Sequence, residues 1–300
     1  MNKIKYINCF GTSYTAGGGH EFGQRSDYDL ESGINELEYE SKKKFPNEEQ
    51  TQFNFSWPGQ LQKILKNNKS NIIVNNFAKS GYGNERLFRK TYEIINSEKF
   101  NKDEHIFIFE FAMGPGRREL WSNTLNDYII TNFQFNDDKD MSLDFHGVGN
   151  SYFYDNEKTK NFLWKLKDDI VDPFYKETVS FKNQVDIEER YLEFFFSYLV
   201  QKNINFKLSC LPGTHEFFSV GYNEDGKIQC DFKGIDASNF IEFETSNFSF
   251  TRYYENRKLT IENDTNGKCK DGHMGMSGAK IVSKIIYDEL YKKEVNKELI

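Results

Sequence analysis

Four short apolar runs, Ile4–Phe10, Ile72–Asn76, Ile106–Phe111 and Phe206–Leu211, constrain this 300-residue chain more than any other feature. Runs of that length, bounded by polar residues, read as strands buried on both faces. Between them apolar residues recur at helical spacing. Leu61, Ile64 and Leu65 follow Trp57-Pro58, with the proline where a first helical turn tolerates it. Leu87, Thr91 and Ile94, flanked by Phe88 and Ile95, mark a second helix, and Tyr191, Phe194, Phe195, Tyr198 and Leu199 mark a third over roughly Ile187–Lys202. Ile281, Val282, Ile285, Ile286 and Leu290 mark the last. Strands alternating with helices pair in parallel through right-handed crossovers, so the predicted fold is α/β, with three layers around a central parallel sheet.

Three stretches exceed this plan: about 18–56, 122–160 and 214–270. They read as long loop insertions in a single domain spanning 1–300, of the kind that decorate the mouth of a site. Asn223-Glu224-Asp225-Gly226 inside the last is a hairpin-turn signal. With 37% hydrophobic residues the chain can fill one sizeable core. A net charge of −7 argues against nucleic acid or an anionic membrane as partner. Cys9, Cys210, Cys230 and Cys269 share no metal-ligand spacing with one another or with the histidines, so no metal is predicted. Met1–Tyr6 lacks the apolar stretch of a signal peptide, and no segment has the length of a membrane span. The expectation is a protein kept in a reducing cytoplasm, with release by lysis left open.

Chemistry concentrates at three places. Ser13 follows the first strand in Gly11-Thr12-Ser13-Tyr14-Thr15-Ala16-Gly17, where the carboxyl ends of parallel strands bind ligands. There a serine is either a turn residue or an exposed nucleophile whose own N–H faces an incoming oxyanion. A hydroxyl needs a base at neutral pH, and imidazole suits the task. His273, in Asp271-Gly272-His273 before the last helix, is the candidate base, with Asp271 the candidate orienting group. The third place is Ala78-Lys79-Ser80-Gly81-Tyr82-Gly83-Asn84 after the second strand. Gly81 there could lend a backbone N–H to an oxyanion, while Asn84 reads equally as a helix cap.

In order and content these segments resemble the SGNH hydrolases, also called GDSL-type esterases and lipases. Gly11–Gly17 resembles the family's first block, Gly-Asp-Ser-x-Ser/Thr-x-Gly, and Asn76-Phe77-Ala78-Lys79-Ser80-Gly81 its second, Asn-x-Ala-x-x-Gly. Trp57-Pro58-Gly59-Gln60-Leu61 is similar to the helix start between those blocks, and Asp271-Gly272-His273 approaches the last block, Asp-x-x-His. The resemblance implies a flavodoxin-like α/β/α sandwich and a cofactor-free serine esterase. Ser13 would be the nucleophile, His273 the base, Asp271 its partner, and the N–H groups of Ser13 and Gly81 the oxyanion donors. A small-molecule or carbohydrate ester would be the substrate.

The departures are specific. Thr12 stands in place of the first-block aspartate, and Asp271 lies two residues before His273 rather than three, leaving Asp264 or a backbone carbonyl as alternatives. The third block, Gly-x-Asn-Asp, is replaced by Glu110–Glu119, whose Pro115-Gly116-Arg117-Arg118-Glu119 is similar to divergent, phage-encoded members. Arg117, Arg118 or Asn84 could supply the missing oxyanion donor. The arginines could also bind an anionic group of a substrate, or pair locally with Glu119 or Glu110. Loss of the donor altogether would leave a scaffold that binds glycan or protein without hydrolysing it.

Overall fold

The computed structural model describes residues 3–17, 53–78, 83–111, 117–123, 127–135, 141–145, 181–210, 221–222, 228–229, 233–241, 243, 257–260 and 273–295. The four apolar runs form one all-parallel sheet from β1 (Tyr6–Phe10), β2 (Ile73–Asn76), β3 (His105–Phe111) and β7 (Phe206–Cys210), in the order β2-β1-β3-β7. Tyr6 pairs with Ile73 on one side and His105 on the other, and Phe107 pairs with Phe206. β1 and β3 are buried almost throughout, which is why their sequences are mostly apolar rather than alternating, with Asn8 and Glu110 as buried polar exceptions. β2 is an edge, and its Ile73 is half exposed. Beyond β7 a parallel bridge joins Leu208 to Phe240, and the Ile241 N–H reaches the Leu208 carbonyl at 2.9 Å. This is the strand order of a flavodoxin-like sheet, with a bridge at the fifth place among the described residues.

Alternation along the strands divides the core in two. On one face Ile7, Cys9, Val74, Ile106 and Ile108 pack with Trp57, Leu61 and Leu65 of α2 (Trp57–Asn67) and with Ala279, Val282, Ile286 and Leu290 of α5 (Met276–Val295). On the other, Phe10, Phe107, Phe109 and Phe111 pack with Leu87 and Ile95 of α3 (Asn84–Ile95) and with Leu192, Phe195, Phe196 and Leu199 of α4 (Phe181–Gln201). The result is the predicted three-layer α/β/α arrangement, with all four predicted helices in place. Cys9 is a free thiol at the centre of the first layer. Burial pushes its pKa well up, which makes it an inert core residue, as expected of a side chain inside a strand.

Local chemistry sets the start of α2. Ser56 caps it, its hydroxyl accepting from the Gly59 N–H at 3.3 Å and donating to the Phe53 carbonyl at 2.8 Å. Pro58 occupies the first turn, and a Cβ on Gly59 would fall 1.7 Å from the Phe53 oxygen, so only glycine fits. The direction of α5 follows from two contacts near its end. Glu289 meets Lys207, at the amino end of β7, at 3.2 Å, and Tyr291 pairs with Ser70, just before β2. The end of α5 therefore lies at the amino edge of the sheet and its start at the carboxyl edge.

The stretch at about 122–160, read as a loop insertion, contains strands. Arg117, Arg118 and Glu119 lie in a strand, β4 (Arg117–Ser122), which forms an antiparallel sheet with β5 (Asp127–Phe135) and β6 (Met141–Phe145). Glu119 fastens β4 to α3. Its carboxylate accepts both Nε and Nη2 of Arg89 at 3.0 Å, and its N–H donates to Glu85 Oε2 at 2.6 Å. The hairpin signal at 223–226 is bracketed, as expected, by a short antiparallel pair, β8 (Gly221–Tyr222) and β9 (Ile228–Gln229). Among the described residues, no helix is long and apolar enough to cross a membrane.

Candidate active site at the carboxyl edge of the sheet

The order of the sheet reverses at β1: the chain passes from β1 to β2 on one side and then to β3 on the other. Such a reversal opens a crevice at the carboxyl ends of the two strands. Ser13 stands there as the first residue of a one-turn helix, α1 (Ser13–Ala16), and is half buried. Gly17 closes the turn with φ 90°, a left-handed conformation that favours glycine, and its N–H meets the Ser13 carbonyl at 3.0 Å. The sequence expectation of a tight glycine-closed turn after the first strand holds.

A residue with no predicted site role fixes this turn. Glu110, next to last in β3, is buried and, among the described residues, accepts four hydrogen bonds, all from residues beside Ser13. Thr12 donates its hydroxyl to Oε1 at 2.6 Å and its N–H to Oε2 at 3.3 Å. Thr15 donates its N–H to Oε2 at 3.1 Å, and its hydroxyl meets the same oxygen. Two further elements hold Thr15: Trp57 Nε1 donates to its hydroxyl at 3.1 Å, and Asn76 Nδ2 to its carbonyl at 3.0 Å. Asn76 opens the second sequence block, so that block is tied directly to the first. One sequence signal pointed to Glu110: a lone acid in His105-Ile106-Phe107-Ile108-Phe109-Glu110-Phe111 must find partners if it is buried.

Burial pushes the Glu110 carboxyl up from its ordinary value, and the hydrogen bonds from Thr12 and Thr15 offset only part of that rise. The native state therefore binds this proton more tightly than the unfolded chain, where a glutamate titrates near about 4.3. The stabilising contribution is complete below that unfolded value and is lost as pH rises through the folded one. Glu110→Gln, which cannot ionise, is expected to gain stability relative to wild type as pH rises from acid to neutral. Urea unfolding of both proteins across that range checks this, and parallel profiles would contradict it.

His273 precedes α5 and is half buried. Its segment is fixed by an antiparallel bridge between Met274 and Thr260, by the Gly275 N–H to the Leu259 carbonyl at 2.9 Å, and by close passage of Gly278 over Leu259. Because α5 starts at the carboxyl edge, His273 and Ser13 belong to the same rim although 260 residues separate them. Asp271 and Gly81 lie outside the described residues.

Asn84 is not the cap of its helix. Gly83 holds the cap position of α3, and Asn84 is buried with its Nδ2 donating to Glu188 Oε1 of α4 at 2.7 Å. Arg117 and Arg118 sit in β4 opposite Asn132 and Thr131. The acids considered as their local partners have other bonds, Glu119 to Arg89 and Glu110 to Thr12 and Thr15. Among the described residues no three His, Cys, Asp or Glu side chains gather as a metal site would require. No protein-family model, curated protein or solved structure matches this chain.

Proposed function

We propose that the chain is a serine ester hydrolase of the SGNH kind, working through an acyl-enzyme. The observation that carries this reading is the fixed turn at the carboxyl end of β1, with Ser13 on the same sheet edge as the start of α5 and His273. In this mechanism the Ser13 oxygen attacks the ester carbonyl carbon while His273 takes the hydroxyl proton. The N–H groups of Ser13 and Gly81 donate to the oxyanion, and Asp271 orients the imidazole. His273 returns the proton to the departing alcohol, and water then releases the acid by the same steps. The substrate we favour carries an acetyl or other short acyl group on a carbohydrate or small alcohol. A reducing, cytoplasmic setting accords with the free thiol of Cys9.

A second reading draws on Asn84. With one of its N–H groups bonded to Glu188, it is poorly disposed to replace the absent third-block donor, which favours a binding module over an enzyme. Hydrolysis of p-nitrophenyl acetate by the purified chain separates the two. Saturable turnover supports the esterase, and glycan or protein binding without turnover supports the module.

A further inference from the structure

We infer that Glu110 is the positioning residue of the Ser13 turn: acting through Thr12 and Thr15, its carboxylate sets where the Ser13 hydroxyl and N–H stand. The chemical consequence rests on the ester-hydrolase reading, whereas the clamp itself does not.

Three features point to a dedicated clamp. Among the described residues, all four hydrogen bonds received by the carboxylate come from the two threonines that flank Ser13, at positions 12 and 15. Thr12 occupies the cap position of α1 yet its hydroxyl makes no cap bond, being turned to Glu110 instead. Gly11 leaves room for the carboxylate: a Cβ there would lie 2.4 Å from Glu110 Oε2 and 2.7 Å from Thr15 Oγ1. A buried carboxyl group is costly unless its acceptor geometry is used, and here that geometry is spent on one turn.

The substitutions separate shape from charge. Glutamine can set its carbonyl where Oε2 stands, accepting both backbone N–H groups and the Thr15 hydroxyl. Its NH2 then faces the Thr12 hydroxyl, which can turn to accept. Alanine offers no acceptor, and aspartate is one methylene short. Gly11→Ala attacks the same clamp from the other side.

The test combines p-nitrophenyl acetate kinetics with hydrogen exchange of the Thr12 and Thr15 amides in the full chain. Glu110→Ala and Gly11→Ala are expected to lower kcat about a hundred-fold with KM changed little, since an ångström of misplacement has that scale of effect. Glu110→Gln is expected to recover most of the loss. Exchange of the two amides should quicken at least about tenfold in Glu110→Ala while that of α3 and α4 is unchanged. Wild-type kcat in folded Glu110→Ala, or a Gln variant as impaired as the Ala variant, would overturn the inference. If wild type itself has no turnover, the ester-hydrolase reading fails and exchange alone decides. Quickening confined to the turn then supports the clamp, and unchanged exchange, or quickening spread over the whole chain, overturns it.

Discussion

Replacing Ser13 by alanine is expected to lower turnover of p-nitrophenyl acetate about ten-thousand-fold or more. The size follows from the role. Without the hydroxyl no acyl-enzyme forms, and removing the nucleophile of such a site costs nearly as much as removing all its partners. A ten-thousand-fold loss corresponds to about 5 kcal/mol of transition-state stabilisation. His273→Ala should lose nearly as much, and the double variant little more than either, because nucleophile and base act as one unit. Stability should hardly change in Ser13→Ala, since Ser13 is half buried and the turn is held by its neighbours. Steady-state kinetics with a matched thermal melt check both points. Full activity in either single variant would remove this mechanism.

Trp57→Ala should have the largest effect on the fold. The indole is 1% exposed, packs in the layer between the sheet and α2/α5, and donates from Nε1 to the Thr15 hydroxyl. Truncating a buried tryptophan costs about 3–5 kcal/mol, a large share of the roughly 5–15 kcal/mol that holds a domain together. Trp57→Phe keeps most of the packing and loses the hydrogen bond, for about 1 kcal/mol. Urea unfolding followed by circular dichroism separates them. A midpoint for Trp57→Ala close to that of Trp57→Phe would mean that the layer does not depend on the indole as described.

The sheet was legible in the sequence because strands buried on both faces must be apolar along their length, and Ile106–Phe111 looks like nothing else. The helices were legible for the complementary reason, each presenting one apolar stripe to one of two layers. The strand at Arg117–Ser122 was not. It opens with two arginines and a glutamate, and what holds it in register is antiparallel pairing with β5 and the Arg89–Glu119 fork, both long-range. Ser13 and the Gly17 turn could be read locally, since chain direction and glycine content dictate them. The supports of the turn could not, because Glu110 lies 98 residues from Thr12 and only strand pairing brings them together. Asn84 illustrates the same limit: its position suggested a cap, and a buried partner on another helix claimed its side chain.

Labelling with a fluorophosphonate probe, followed by peptide mass spectrometry, tests the central claim most directly, because the probe reacts only with an activated nucleophile. The expected result is a single tag on Ser13 in wild type, absent from His273→Ala at the same protein concentration and time. A well-folded wild-type chain with no tag, or with the tag on another residue, would contradict the assignment of Ser13 as a catalytic serine.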